Sequence, residues 1–149
     1  MRSLFDVNTL IALFDPEHLH HRLALAWWSE NRENGWASCA LTENGFVRVI
    51  SSPGYPGPRS LADALQVLSA QVAQPGHVFW HDDISITDPD VFDHNRILGP
   101  KQITDVYLLA LAVRNGGRLV TFDRGVPVAA VRGAEQRHLV VVGAASRRS

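Results

Sequence analysis

Polar and apolar residues follow two rhythms along this chain: short unbroken apolar runs, and longer stretches with apolar residues three and four apart. The first is the pattern of strands buried on both faces, the second that of helices with one buried face. Leu4-Phe5 forms the centre of a strand over residues 2–6. Asn8 and Thr9 can cap a short helix through Phe14, which Asp15-Pro16 ends because proline disfavours helix in the residue before it. A longer helix is predicted over Glu17–Asn34, stopped by Gly35. Trp36–Cys39 reads as a second strand and Thr42–Ile50 as a helix. Beyond the turn-rich loop Ser51–Pro58, Ser60 with Asp63 resembles a capping box opening a helix to about Ala73. Val78–Trp80 is a third strand, and His81–Pro100 a polar connection with room for short helical turns. A helix over Thr104–Asn115, a strand over Leu119–Phe122 and a last strand over Leu139–Val142 complete the pattern.

Strands alternating with helices predict an α/β fold, a mostly parallel sheet with helices on both faces. Over 149 residues there is no internal repeat and no dividing linker, so the expectation is one domain over residues 1–143 with a short tail at 144–149.

Composition narrows the function. Fifteen acids against fourteen bases leave a net charge of −1, which excludes a protein that coats nucleic acid through bulk positive charge. Any such contact is local or carried by a metal ion. Cys39 is the only cysteine, so there is neither a disulfide framework nor a multi-cysteine zinc site; in its apolar segment it reads as a small buried residue. An acid at Asp6 comes too early for a signal peptide, and no apolar run reaches the roughly 20 residues of a membrane span. The expectation is a soluble, cytoplasmic protein with no membrane partner.

Eleven of the fifteen acids have ordinary settings, such as Glu30 and Glu33 on a polar helix face and Asp82, Asp83, Asp88, Asp90 and Asp93 in the polar connection. Four do not. Glu43 heads the stripe Phe46, Val47, Ile50, and Asp105 heads Leu108, Leu109, Ala112, so each carboxylate shares a helix face with core residues. Asp6 and Asp123 close apolar strands, and in a doubly wound sheet such strand ends open onto one crevice. Each acid alone has a structural explanation in a cap or the helix dipole. Four together repel one another, and the direct neutraliser is a hard divalent cation with oxygen ligands, Mg²⁺ or Mn²⁺. Such an ion supports phosphoryl chemistry. Thr121, two residues before Asp123 on a strand, can hydrogen-bond a carboxylate from behind.

At these residues the chain resembles the PIN-domain family, and within it the VapC-like toxins of bacterial toxin–antitoxin systems. The matching segments are LFDVNTLIALF, LTENGFVRVISSP and ITDVYLLALAVRNGGRLVTFDRG. The resemblance implies a Rossmann-like α/β/α sandwich, Mg²⁺- or Mn²⁺-dependent endoribonuclease activity on RNA, and inhibition by a cognate antitoxin. It places the family's four acids on Asp6, Glu43, Asp105 and Asp123, and accompanying polar positions on Asn8 and Thr104. A homodimer is also expected.

Other residues weigh less. His18 and His21 share a helix face if the helix starts at Glu17, but nothing nearby completes a metal site, so His18, His20 and His21 read as a solvated or interface face. Adjacent Trp27 and Trp28 should point apart, one into the core and one partly exposed. Arg48 and Arg59 flank the Pro-Gly loop and could meet phosphate or an antitoxin carboxylate. Two other readings stay open. An aspartate-nucleophile phosphatase would want an acid where Asn8 stands and a lysine, for which Lys101 is the one candidate. A non-enzymatic phosphoacceptor or partner-binding domain would leave Glu43 unexplained.

Overall fold

The computed structural model describes residues 1–143; the expected tail at 144–149 lies outside the described residues. Five strands, β1 (Ser3–Phe5), β2 (Trp36–Ser38), β3 (His77–Phe79), β4 (Arg118–Thr121) and β5 (Leu139–Val141), form one sheet in the order β3-β2-β1-β4-β5. Every neighbouring pair is parallel. The parallel sheet is the one expected from the alternation of elements, and its topology is the Rossmann-like one that the resemblance implies, with β1 central and the winding reversing between β1 and β4.

Five helices cover the sheet: α1 (Val7–Phe14), α2 (His21–Asn31), α3 (Ala40–Ile50), α4 (Leu61–Val72) and α5 (Ile103–Arg114). Successive strand residues face opposite ways, so Leu4, Ala37 and Leu119 join one core while Phe5, Trp36 and Val120 join the other. The first core is filled by α5, which is buried continuously from Val106 to Ala112, and by the irregular segments after β3 and β4. The second is filled by α1 to α4, including Leu10, Phe46, Ile50 and Ala64. Within the stretch read as a polar connection, Phe92 is fully buried and bridges to Val131, which roots that connection in the first core.

Several local expectations are corrected. Helix α1 starts at Val7 with Asp6 as its cap, because the Asp6 carboxylate accepts the Thr9 N–H. Helix α2 starts at His21 and not at Glu17. Asp15 Oδ1 accepts the Glu17 N–H, Asp15 O accepts the His18 N–H, and His18 Nδ1 accepts the His20 N–H, folding residues 17–20 as turns. His18 and His21 therefore share no helix face. Helix α3 begins at Ala40, where Thr42 Oγ1 accepts the Cys39 N–H at 3.0 Å. Strand β3 is a partly exposed edge, with Val78 and Phe79 open to solvent, where a strand buried on both sides was expected. The two tryptophans do not part: Trp27 and Trp28 both meet the Phe5 ring edge-on, at 6.1 and 5.6 Å between centroids, and both are half-buried. Ser60 caps α4 as expected, accepting the Asp63 N–H. Cys39 is fully buried, which pushes its thiol up to about 11.

Candidate active site

The switch between β1 and β4 sets the crevice at the carboxyl ends of these two strands, the usual ligand position in open α/β sheets. Asp6 follows β1 directly, and Asp123 follows β4 by two residues. Asp105 lies in the first turn of α5. These three acids line one pocket with Val7, Asn8, Thr104, Leu108 and Phe122, with about 210 Å³ of accessible space.

Asp6 is buried among hydrogen-bond donors. Thr9 donates to Oδ1 from its N–H at 2.9 Å and its hydroxyl at 2.6 Å, and the Thr121 hydroxyl donates to Oδ2 at 2.5 Å. Burial nevertheless holds its carboxyl above the usual carboxylate range, against these donors and with some help from the Asp123 charge. Thr121 Oγ1 also accepts the Asp123 N–H at 3.0 Å, so one hydroxyl ties the two strand-end acids together. Asp123 is exposed and closes a turn, its Oδ1 accepting the Gly125 N–H at 2.7 Å.

Asp105 is displaced in the same direction as Asp6. Burial pushes its carboxyl up to about 7, and the charges of Asp6 and Asp123 add to this, Asp123 being near enough to share a proton with it. Three carboxylates thus compete for space in one pocket with no base among its lining residues. All their donor atoms are hard oxygens, so the set fits Mg²⁺ or Mn²⁺ and not zinc, which prefers nitrogen and sulfur. Among the described residues, however, no three His, Cys, Asp or Glu side chains close tightly enough to form a finished metal shell.

Glu43 stands apart from this group. It is half-buried on α3 beside buried Phe46 and Ile50, but is not among the pocket-lining residues. Its Oε2 accepts the Ser38 hydroxyl at 2.5 Å, and Ser38 Oγ is 2.8 Å from His77 Nε2. With Ser38 donating to Glu43, the His77 Nε2–H donates to Ser38. Sequence reading missed Ser38, His77 and Thr9 as supports of the acids; only the small polar Ser38 at the end of an apolar strand was a local signal.

The remaining sequence candidates separate. Asn8 and Thr104 are exposed at the pocket. Arg48 is exposed on α3 and pairs with no acid among the described residues. Arg59 does not point outward as a free cation. It pairs with Asp15 at 3.5 Å, and the Tyr55 hydroxyl also donates to Asp15. Burial raises the Asp15 carboxyl, but Tyr55, the Glu17 N–H and the Arg59 charge outweigh it and leave the group below its ordinary value. This cluster pins the Pro-Gly loop to the end of α1.

The PIN domain model matches residues 3–132. Ribonuclease VapC44 of Mycobacterium tuberculosis is 51% identical over 142 residues, covering 95% of this chain and all of the relative. Ribonuclease VapC38 of the same organism is 49% identical, covering 83% of this chain and 86% of its own length. Ribonuclease VapC39, also from that organism, is 40% identical over 89% of this chain and 96% of itself. The parallel five-stranded sheet, the acids at its switch point and the matched span agree, and the chain belongs to the PIN-domain family, as a relative of its VapC ribonucleases.

Proposed function

We propose that this chain is a VapC-type endoribonuclease, the toxin of a toxin–antitoxin pair, hydrolysing RNA with Mg²⁺ or Mn²⁺ held by Asp6, Asp105 and Asp123. The observation that carries the reading is the convergence of these three carboxylates on one pocket at the carboxyl ends of β1 and β4. A bound cation supplies the positive charge that offsets the acids and the charge developing on the phosphoryl oxygens. The chain's own residues do the rest. Thr9 and Thr121 fix both oxygens of Asp6, so that carboxylate does not reorganise when a ligand arrives. Asp105, in the first turn of α5, brings the third carboxylate of the pocket to the oxygen set that would surround the ion. Glu43 completes the family's acid order, and Ser38 holds its carboxylate in one orientation.

Relatives named ribonucleases support RNA as substrate. A cognate antitoxin and a homodimer belong to the same reading, as do a cytoplasmic setting and the absence of a membrane role; no helix among the described residues is long and apolar enough to cross a bilayer.

The test is cleavage of RNA by the purified, antitoxin-free protein. Activity should require Mg²⁺ or Mn²⁺ and vanish in EDTA. Asp6→Asn, Glu43→Gln and Asp105→Asn should each lower it by orders of magnitude. Asp83→Asn is the control, because Asp83 is exposed and its one ion pair among the described residues is with Arg114 at 3.3 Å. Cleavage that persists in EDTA, or equal losses at Asp83 and Asp105, would refute the assignment.

A further inference from the structure

Three histidines lie in and after the turn that replaces the expected start of the second helix, and the fold uses them unequally. His18 turns inward, half-buried, and its Nδ1 accepts the His20 N–H at 3.0 Å. His21 reaches back to α1, with Nδ1 2.8 Å from Ala12 O. These two fix the turn. His20 is exposed, and among the described residues its side chain makes no hydrogen bond. Its ring lies instead on Phe122, at 5.2 Å between centroids and 28° between planes. Phe122 lines the acid pocket and directly precedes Asp123. It also packs against the core of α1 to α4, so the platform beneath His20 is anchored.

We propose that His20, seated on Phe122, is a stacking platform for an unpaired base of the RNA strand whose phosphate enters the acid pocket. The proposal rests on the ribonuclease reading and adds a residue that touches a base of the substrate. Bases in a duplex have both faces covered, whereas an unpaired base can stack on an aromatic ring, histidine included. His20 also meets the His18 ring at 5.8 Å and 50° between planes, yet it stays exposed and without a side-chain hydrogen bond among the described residues. Stacking also needs no positive charge, which suits a chain whose net charge is −1 and whose pocket is lined by acids. Because every base offers a flat face, the platform tolerates different sequences and selects for the unpaired state.

The experiment measures binding to two fluorescent probes with Ca²⁺ in place of Mg²⁺: a short mixed-sequence single-stranded RNA, and a ribose-phosphate strand of equal length without bases. His20→Ala should weaken binding of the RNA about tenfold or more. It should leave binding of the baseless strand and the melting temperature unchanged, and His20→Phe should restore RNA binding. Equal losses on both probes, or no loss on the RNA, would overturn the platform while wild-type cleavage of RNA with Mg²⁺ leaves the ribonuclease reading standing. A wild-type protein that neither binds nor cuts RNA would overturn that reading and the platform with it.

Discussion

Removing one charge from the acid pocket should stabilise the metal-free protein, and the structure sets both the size and the pH range of the effect. Asp105 is held up at about 7 by burial and by Asp6 and Asp123, against an ordinary 3.8. A group raised on folding contributes its full stability below the unfolded value and loses it as pH rises through the folded one. Ionising Asp105 therefore penalises the native state increasingly from about pH 4, with the full penalty reached above about pH 7. At about 1.36 kcal/mol per unit, the shift sets a ceiling of about 4 kcal/mol. Asp105 is only half-buried, so solvent screening reduces this to about 1–2 kcal/mol. Asp105→Asn abolishes the titration. In EDTA at pH 8 it should melt higher than wild type by several degrees, at about 2–4 °C per kcal/mol for a chain of this size. The gain should shrink steadily toward pH 4. Added Mg²⁺ should reverse the order, because the cation binds only the folded wild type with its full ligand set. Thermal unfolding across that pH range, with EDTA and with Mg²⁺, is the assay. A variant that melts lower than wild type in EDTA, or gains equally at all pH values, would show that Asp105 has a stabilising partner and that the crowding argument fails.

Thr121→Val removes the hydroxyl that joins Asp6 to the Asp123 backbone, and should lower RNA cleavage about 10–100-fold while circular dichroism shows an intact fold. Gly45→Ala would place a Cβ 2.4 Å from Val7 Cγ2, where α3 meets α1 at the pocket wall; denaturant unfolding should show a loss of about 1–3 kcal/mol. Arg59→Ala should cost about 1–3 kcal/mol by the same assay and leave RNA binding unchanged, since the guanidinium is engaged by Asp15.

What the sequence made legible was whatever local periodicity carries. Asp6 stands out because it ends an apolar run, and Asp105 because it shares a face with Leu108 and Leu109, which are fully buried. The parallel sheet with helices on both faces followed from the alternation of elements, and the strand order came only with the structure. The supports of the acids were hidden for a physical reason. The Thr121 hydroxyl reaches Asp6 across 115 positions, and Arg59 reaches Asp15 across 44, and no pattern confined to one element encodes such pairs. Ser38 looked like one more small residue of a buried strand until β3 brought His77 beside it. The turn at residues 17–20 was missed because three side-chain and backbone bonds there compete with helix, and each needs Asp15 or His18 in a specific orientation. Phe92 was hidden by the polarity of its neighbours, though it is wholly buried.

The central place of β1 also bears on when a growing chain acquires its pocket. Asp6 is synthesised more than a hundred residues before the strand that flanks it on the pocket side, β4, which spans Arg118–Thr121. Until that strand pairs with β1, Asp6 lacks the Thr121 hydroxyl, and Asp123 has not been made. Domains fold as units as they emerge during synthesis. A ribosome that stalls before Asp105 therefore releases a fragment with one acid of the pocket and without the Thr121 hydroxyl that supports it. Long-range strand order thus ties assembly of the acid pocket to the arrival of β4, whatever is folded before it.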